Sequence, residues 1–298
     1  MKILITGGAG FIGSHTADIL ISRGHEVCIV DNLRTGKKEN INKKARFYNV
    51  DICDRKKLAE VFEKEKPDAV IHLAAQTNAR YSIKNNKVDK AINLNGTKII
   101  VDLSKKYNVK KIVYSSSAAV YGDVKSIPTK ELAIKKPISP YGKNKLAAEE
   151  VVKKSGISYT IFRYSNVFGP RQDALGEGGV ISIFCYNAKK DIPLTIYGSG
   201  EQTRDFIYVM DVAMANVLAA EKDITGTFNI STNKKISINK LIEILFSVSK
   251  SKSNIIKGDK VKGDIMHSRL DNTRAKKAGL LNKLHDFSAA LRETIKNV

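Results

Sequence analysis

The amino-acid sequence predicts the α/β fold class, a doubly wound parallel sheet that carries a smaller α/β lobe. Three observations lead to this prediction. An apolar run passes through a glycine-rich turn into a helical pattern over residues 2–20, and a second apolar run ends at Asp31. A later strand pattern ends in three serines, Ser115–Ser117, and is followed by a helix that carries Tyr141 and Lys145 four positions apart.

The glycine-rich turn has the spacing of a dinucleotide-binding loop. Gly7, Gly10 and Gly13 would allow, in turn, a tight turn, close approach of the backbone to a pyrophosphate, and close packing of the helix on the strand. The N-terminus of that helix would offer backbone N–H groups to the phosphates. Asp31 lies about twenty residues beyond the loop, where a carboxylate can accept both hydroxyls of an adenosine ribose.

The segments after Asp31 indicate the adenosine end of a cofactor site. The carboxylate of Asp31 would repel the extra phosphate of NADP, so the sequence favours NAD, although Arg34 nearby leaves NADP open. Asp51 and Ile52 follow a short strand and are placed to meet an adenine ring. Alternatively, Asp51 caps the helix that contains Leu58.

The next strand pattern, residues 67–75, ends in the small residues that let a cofactor lie against backbone. His72 within it is interpreted as a hydrogen-bonded core histidine rather than an acid–base group. A helix is predicted over residues 91–107, and Asn95 beside Gly96 on it indicates a buried hydrogen-bond network.

A tyrosine and a lysine provide the main chemical signal. Ser139 can cap a helix whose first position is Pro140, so that Tyr141 and Lys145 share one helix face. Tyrosine has an ordinary pKa of about 10, and both a nearby lysine and a helix N-terminus lower it. A phenolate formed in this way could remove a proton from a sugar hydroxyl that Ser117 holds in line.

Together these motifs resemble the extended short-chain dehydrogenase/reductase family, and within it the NAD-dependent nucleotide-sugar epimerases and dehydratases. The resemblance implies a Rossmann-type fold, NAD as cofactor, Tyr141 as catalytic base, Lys145 as the residue that binds the nicotinamide ribose, and Ser117 as the third catalytic residue. The cofactor-binding residues that it implies are Gly7, Gly10, Phe11, Ile12, Gly13, Asp31, Asn32, Asp51, Ile52, Leu73, Ala74, Ala75, Asn95, Ser115, Tyr141, Lys145 and Tyr164.

The second half of the chain resembles the substrate lobe of the same family. Asn166 and Arg204 match residues that contact a substrate diphosphate, although Arg204 could instead pair with Asp205 or Asp211. The other implied substrate residues, besides Ser117 and Tyr141, are Val180 beside the uracil ribose, Tyr197 beside the base, Asp264 on the ribose hydroxyls and Ser268 in the sugar pocket.

Two departures from the family pattern bear on the reaction. Dehydratases of the family place Asp-Glu where this chain has Ala118 and Ala119, and methyl groups cannot exchange protons, so dehydration is disfavoured. The family arginine near Asp264 is replaced by Val261, for which Lys262 or Arg269 could substitute.

The resemblance thus implies a 4-epimerase that interconverts UDP-hexoses (UDP-glucose and UDP-galactose) through a transient 4-keto sugar, in galactose metabolism. The small Ser268 leaves UDP-N-acetylhexosamines open as substrates, and UDP-uronic acids are a further alternative. A dinucleotide sensor or RNA-binding protein of the same fold is the non-catalytic alternative.

Composition limits the remaining possibilities. The chain has 298 residues and a formal net charge of +21, but its lysines are spread along the whole sequence, which favours a solvated surface over a nucleic-acid-binding patch. Three cysteines without metal-type spacing predict reduced thiols, no metal site and a cytoplasmic protein. The absence of long apolar stretches and an early first strand predict neither a membrane span nor a signal peptide.

The predicted organisation has two lobes. An NAD-binding domain is expected over residues 1–165, joined by about 205–228, and a substrate-binding lobe over residues 166–204 and 229–298. The family resemblance also implies a homodimer.

Overall fold

A computed structural model describes residues 1–174, 178–260 and 265–298 of the chain. The strands are β1 Lys2–Thr6, β2 Glu26–Asp31, β3 Arg46–Asn49, β4 Ala69–His72, β5 Lys111–Ser117, β6 Ser158–Tyr164, β7 Asn166–Phe168, β8 Leu194–Tyr197, β9 Thr203–Arg204, β10 Phe206–Tyr208, β11 Gly226–Ile230, β12 Ile236–Ser237 and β13 Ile255–Gly258. The α-helices are α1 Phe11–Ser22, α2 Arg55–Glu65, α3 Ala79–Lys84, α4 Asn86–Lys90, α5 Thr97–Lys106, α6 Pro140–Lys153, α7 Val180–Lys189, α8 Val209–Glu221, α9 Ile238–Ser249, α10 Thr273–Lys277 and α11 Phe287–Lys296.

The central sheet has seven parallel strands in the order β11-β6-β5-β4-β1-β2-β3. Its inner strands are buried along almost their whole length, because helices cover both faces of the sheet, and most of their buried side chains are apolar. The predicted doubly wound α/β fold is therefore confirmed. All carboxyl ends of the strands lie at one edge, which is where such sheets bind ligands.

The chain returns to this sheet late. Helix α8 packs on α1 in the main core, where Val212 and Ala215 join Ala17 and Leu20, and β11 then adds to the edge of the sheet beside β6. The predicted return of the helix that starts at Val209 is confirmed.

A smaller core lies beside the sheet. Three two-stranded pairs (β10 with β7, β12 with β9, and β13 with β8) surround helices α7, α9 and α11, whose apolar faces pack together. The division of the chain into lobes at the predicted bounds stays a prediction.

In the described ranges, none of the helices has the length and apolar character needed to cross a membrane. Cys28 and Cys185 are buried, Cys53 is exposed, and all three thiols are free.

Candidate active site

A cleft of about 480 Å³ lies at the carboxyl edge of the sheet. The structure brings together in it all the predicted cofactor residues except Asn95, together with four of the predicted substrate residues, Ser117, Tyr141, Asn166 and Val180. Parallel strands deliver these side chains to one edge although they are far apart in the sequence.

The glycine loop fits a pyrophosphate. Gly7 has a φ of +73°, and a Cβ there would lie 2.7 Å from the backbone nitrogen of Ala74, while a Cβ on Gly13 would lie 2.1 Å from the carbonyl oxygen of Gly7. Only glycine fits at either position. Helix α1 has Gly10 as its N-cap, with neither a side-chain cap nor an acidic residue in its first turn, so its N-terminal amides face the cleft without a built-in anion.

Two carboxylates line the adenosine end of the cleft. Asp31 accepts hydrogen bonds from the backbone N–H groups of Ala9 (3.0 Å) and Leu33 (2.9 Å), so that it ties the glycine loop to the end of β2. Burial raises the pKa of its carboxyl group, and the two backbone donors oppose that rise.

Asp51 accepts from the amide of Asn32 at 2.7 Å and from the backbone of Cys53 at 2.7 Å. The alternative interpretation of Asp51 as the cap of α2 is wrong, because Asp54 caps that helix by accepting from the backbone N–H of Lys57. Asp51 and Ile52 both line the cleft.

Helix α6 carries the predicted base and lysine. It begins at Pro140 with Ser139 as its cap, as predicted, which places Tyr141 in the first turn with its side chain on the cleft. Tyr141 is 8% exposed, and its backbone N–H donates to the hydroxyl of Ser82 at 3.1 Å.

Lys145 lies one turn further along α6 and is buried. Its Nζ donates to the carbonyl oxygen of Ser115 at 2.8 Å, so the helix is fastened to the end of β5 beside the cleft. Burial lowers the pKa of Lys145 to about 8, and the negative charges of Asp89 and Glu149 oppose that fall. Ser117, the last residue of β5, accepts from the backbone N–H of Ala119 at 3.1 Å and lines the same cleft.

His72 is the hydrogen-bonded core histidine that the sequence favours. Because the hydroxyl of Thr97 donates its hydrogen to the carbonyl of Asn93, that hydroxyl must accept from Nε2–H of His72. The other ring nitrogen, Nδ1, then accepts from the hydroxyl of Thr6. Burial, and secondarily Lys145, lower the pKa of His72 to about 3. The ring is therefore neutral at pH 7.

The prediction for Asn95 is wrong. Asn95 is exposed, whereas Asn93 is buried and exchanges two hydrogen bonds with the backbone of Gln76, at 3.1 Å and 2.9 Å. Asn93 and Asn95 are two residues apart in the segment Ala91–Gly96, which is π-helical, so they lie on roughly opposite faces of the helix and only Asn93 is buried.

Three further predicted substrate residues, Tyr197, Arg204 and Ser268, are not among the residues that line the cleft. Tyr197 is about half exposed on β8, Arg204 on β9 donates to the carbonyl of Thr203, and the backbone of Ser268 bonds to the same carbonyl. The sequence suggested Asp205 and Asp211 as alternative partners of Arg204. Asp205 accepts hydrogen bonds from Thr232, Asn233 and Leu270. Asp211 accepts hydrogen bonds from His285. Asp264, Val261 and Lys262 lie outside the described residues.

Sequence reasoning missed two buried carboxylates behind the site, Asp89 and Glu149. Glu149 is two turns beyond Tyr141 on α6, and Asp89 and Asn93 are four residues apart. The signal that could have revealed both acids is a polar residue one or two helical turns from another polar residue on a core-facing helix. Among the residues that the structure describes, no cluster of three His, Cys, Asp or Glu side chains is suited to a metal ion.

Comparisons with known proteins agree with this geometry. Residues 3–231 match the model of the NAD dependent epimerase/dehydratase family. A candidate UDP-glucose 4-epimerase of Methanocaldococcus jannaschii is 44% identical over 301 residues, which cover 99% of this chain and 96% of that protein.

Two solved structures are similar over their whole length. UDP-glucose 4-epimerase of Thermotoga maritima, solved with UDP-glucose, has a TM-score of 0.96 at 40% identity and covers 100% of this chain and 98% of its own. UDP-N-acetylglucosamine 4-epimerase of Methanobrevibacter ruminantium, in complex with UDP-N-acetylmuramic acid, has a TM-score of 0.93 at 37% identity. The match covers 99% of this chain and 97% of that protein. The chain belongs to the NAD-dependent epimerase/dehydratase family.

Proposed function

We propose that the protein is an NAD-dependent isomerase that epimerises UDP-hexoses at C4, interconverting UDP-glucose and UDP-galactose. The observation that carries the proposal is that Ser117, Tyr141 and Lys145 line one cleft with the glycine loop. A sensor or RNA-binding protein of the same fold would have no chemical use for this arrangement.

The residues that would hold the cofactor are those of the described cleft. The amides of α1 and the glycine loop suit the pyrophosphate, Asp31 suits the adenosine ribose, and Asp51 with Ile52 suits the adenine. When bound there, NAD⁺ supplies the oxidation of C4 and its reversal.

Proton transfer at C4 falls to Tyr141. Its phenol oxygen would take the proton of the C4 hydroxyl and later return it, while Ser117 hydrogen-bonds the same sugar oxygen. Lys145, with a pKa of about 8, is mostly protonated at neutral pH, so its charge favours the phenolate of Tyr141. The transient 4-keto sugar must rotate within the site. The 3-10 turn Ala118–Val120, directly after Ser117, carries only apolar side chains and therefore no acid that could cause water loss.

Purified protein given UDP-galactose should therefore produce UDP-glucose without added NAD or NADH, as measured by mass spectrometry with chromatographic separation of the two sugars. Tyr141→Phe should lower kcat by about 100-fold or more, since it removes the proton acceptor but keeps the ring. Denaturation should release the same nucleotide from the wild-type protein and from Tyr141→Phe. A Tyr141→Phe enzyme with an unchanged rate would exclude Tyr141 as the base.

UDP-N-acetylhexosamines are the second candidate substrates, supported by the similarity to the Methanobrevibacter enzyme and by the small side chain at Ser268. The same assay with UDP-N-acetylglucosamine and a UDP-uronic acid separates these possibilities, because the preferred substrate has the highest kcat/KM.

Family membership also supports a proposal for the setting of the protein. We propose a cytoplasmic homodimer in galactose metabolism that binds a UDP-sugar and requires no nucleic acid or membrane. Tyr197, Arg204, Asp264 and Ser268 remain proposed substrate contacts.

A further inference from the structure

Asp89 on α4 is a fully buried acid whose contacts all lead toward the cleft. Its carboxylate accepts hydrogen bonds from three side-chain amides, those of Asn144 at 2.7 Å, Gln76 at 3.0 Å and Asn93 at 3.0 Å. A buried acid with this many donors is part of a built arrangement, since an unpaired carboxylate would be costly there.

The orientation of the amides indicates that Asp89 is ionised. Asn93 accepts from the backbone N–H of Gln76 and donates to its carbonyl, so its NH₂ group must face Asp89. The NH₂ group of Gln76 is oriented in the same way, because it also donates to the carbonyl of Asn78 at 3.0 Å. A protonated carboxyl would direct its hydrogen at a donor, whereas a carboxylate accepts all three bonds.

The three amides belong to three different walls of the site. Gln76 lines the cleft just beyond β4, Asn93 lies in the π-helical segment, and Asn144 is the residue before Lys145 on α6. A single carboxylate therefore fixes the position of the loop after β4 relative to the helix that carries Tyr141.

The charge of Asp89 is balanced differently from that of the other buried acid. Glu149 has a direct counter-ion in Arg163, whose guanidinium makes two bonds to it at 2.6 Å and 2.9 Å. The described donors to Asp89 are neutral amides. Burial raises the pKa of Asp89, and the amides of Asn144 and Asn93 and, through space, the charge of Lys145 oppose that rise. The attraction is mutual, so Asp89 also favours the protonated form of Lys145.

We propose that Asp89 is a positioning residue of the reaction, which holds the loop after β4 against helix α6 and serves as the buried counter-ion that keeps Lys145 protonated. The expected effect on kcat rests on the proposed function, whereas the expected effect on NADH binding does not.

The consequence for pH follows from the groups around Lys145. The acids near Lys145 are Asp89 from α4 and Glu149 from α6, and Tyr141 lies on the same helix. His72 from β4 is close enough for Lys145 to lower its pKa. The ring of Tyr114 from β5 lies 5.1 Å from Nζ of Lys145. Removal of the charge of Asp89 lowers the pKa of Lys145 further below about 8. Lys145 then loses its proton at a lower pH, and the alkaline limit of activity moves down.

The test uses Asp89→Asn, with Asp102→Asn as matched control. Asp102 lies on the neighbouring helix α5, is about half exposed and pairs with Arg55, so that its substitution removes the same charge without touching the site. The readouts are kcat and KM with UDP-galactose from about pH 6 to about pH 9, and NADH affinity over the same range from the fluorescence of bound NADH.

For Asp89→Asn we expect kcat at pH 8 to fall about tenfold, with KM within about twofold. The alkaline limits of kcat/KM and of NADH binding should both move down by about one pH unit, and Asp102→Asn should match the wild type. A loss by the same factor at every pH would overturn the proposal. Val61→Ala, in the core face of α2, provides the comparison, because it destabilises the fold without changing charge.

Asn144→Ala covers the case in which Asp89→Asn does not fold. It removes one amide donor and leaves the carboxylate, and it should lower kcat several-fold with KM unchanged. Wild-type kcat in Asn144→Ala would overturn the positioning role. If the wild-type protein does not epimerise UDP-hexoses, the proposed function fails, while the NADH measurement still decides the role of Asp89.

Discussion

A single imidazole illustrates how burial decides between two roles for the same residue. His72 lies at the end of β4, next to the cleft, where an acid–base group would be expected. Its two nitrogens are both used by threonine hydroxyls, and its pKa of about 3 keeps it neutral. His72 therefore stabilises the junction of β1, β4 and α5 and exchanges no proton at physiological pH.

The pH dependence of folding should reveal this role. The pKa of His72 is lower in the folded protein (about 3) than the ordinary value of 6.5, so the unfolded chain binds its proton first as the pH falls. Stability from His72 is thus complete above pH 6.5 and declines by roughly 1.4 kcal/mol per pH unit below it. Urea unfolding of His72→Asn and wild type between pH 6.5 and about 5 should give a flatter slope for the variant. Parallel slopes would contradict the lowered pKa.

At the scale of elements, helix α6 organises the site. Tyr141, Asn144, Lys145 and Glu149 lie on one buried face, because Asn144 and Lys145 are three and four residues beyond Tyr141 and Glu149 is four beyond Lys145, which matches the helical period. The helix also packs tightly on the turn after β5, where a Cβ at Gly142 would lie 2.6 Å from the carbonyl of Ala119. Small changes at its N-terminus should therefore reach Tyr141.

Two N-cap serines allow a matched test of this idea. Ser139 caps α6 and Ser237 caps α9 in the smaller core, each by accepting one backbone N–H at 3.1 Å. Replacement of either by alanine should cost about 1 kcal/mol in the free energy of unfolding. Only Ser139→Ala should also lower kcat, by several-fold, because α9 carries none of the predicted catalytic residues. Equal kcat values in the two variants would show that the N-terminus of α6 does not position Tyr141.

At the scale of the whole molecule, a buried ion pair joins helix α6 to the sheet and to the chain beyond it. Glu149 and Arg163 are almost fully buried, and Arg163 also donates to Tyr121 and to the carbonyl of Glu131. The hydroxyl of Tyr121 in turn donates to Asn229 on β11, the strand that returns late in the chain.

Glu149→Gln should accordingly destabilise the protein by about 3–5 kcal/mol, because it leaves a buried guanidinium without its counter-ion. Glu243→Gln is the control, since Glu243 pairs with Lys240 on the exposed face of α9 and should cost at most about 0.5 kcal/mol. The destabilisation of both variants is measured from the midpoints of chemical denaturation, followed by circular dichroism. Similar midpoints for the two variants would mean that the buried pair does not stabilise the attachment of α6 to the sheet.

The sequence by itself determined the features that depend on local spacing. The glycine loop, Asp31 at the end of a strand, the cap and first turn of α6, and the tyrosine and lysine one turn apart are all short-range patterns. Backbone geometry and helical period set these relations within a few residues, so they can be identified without knowledge of the fold.

Only the tertiary structure decided which residues these patterns meet. The π-helical segment brings Asn93 instead of Asn95 to the sheet, Asp54 instead of Asp51 caps α2, and Asp89 comes to stand behind Lys145 across fifty-six positions of sequence. Burial and charge then set the pKa values of His72 and Lys145. These properties arise from contacts between segments that are distant in the chain, because desolvation and electrostatic attraction depend on what surrounds a group and not on its neighbours in sequence.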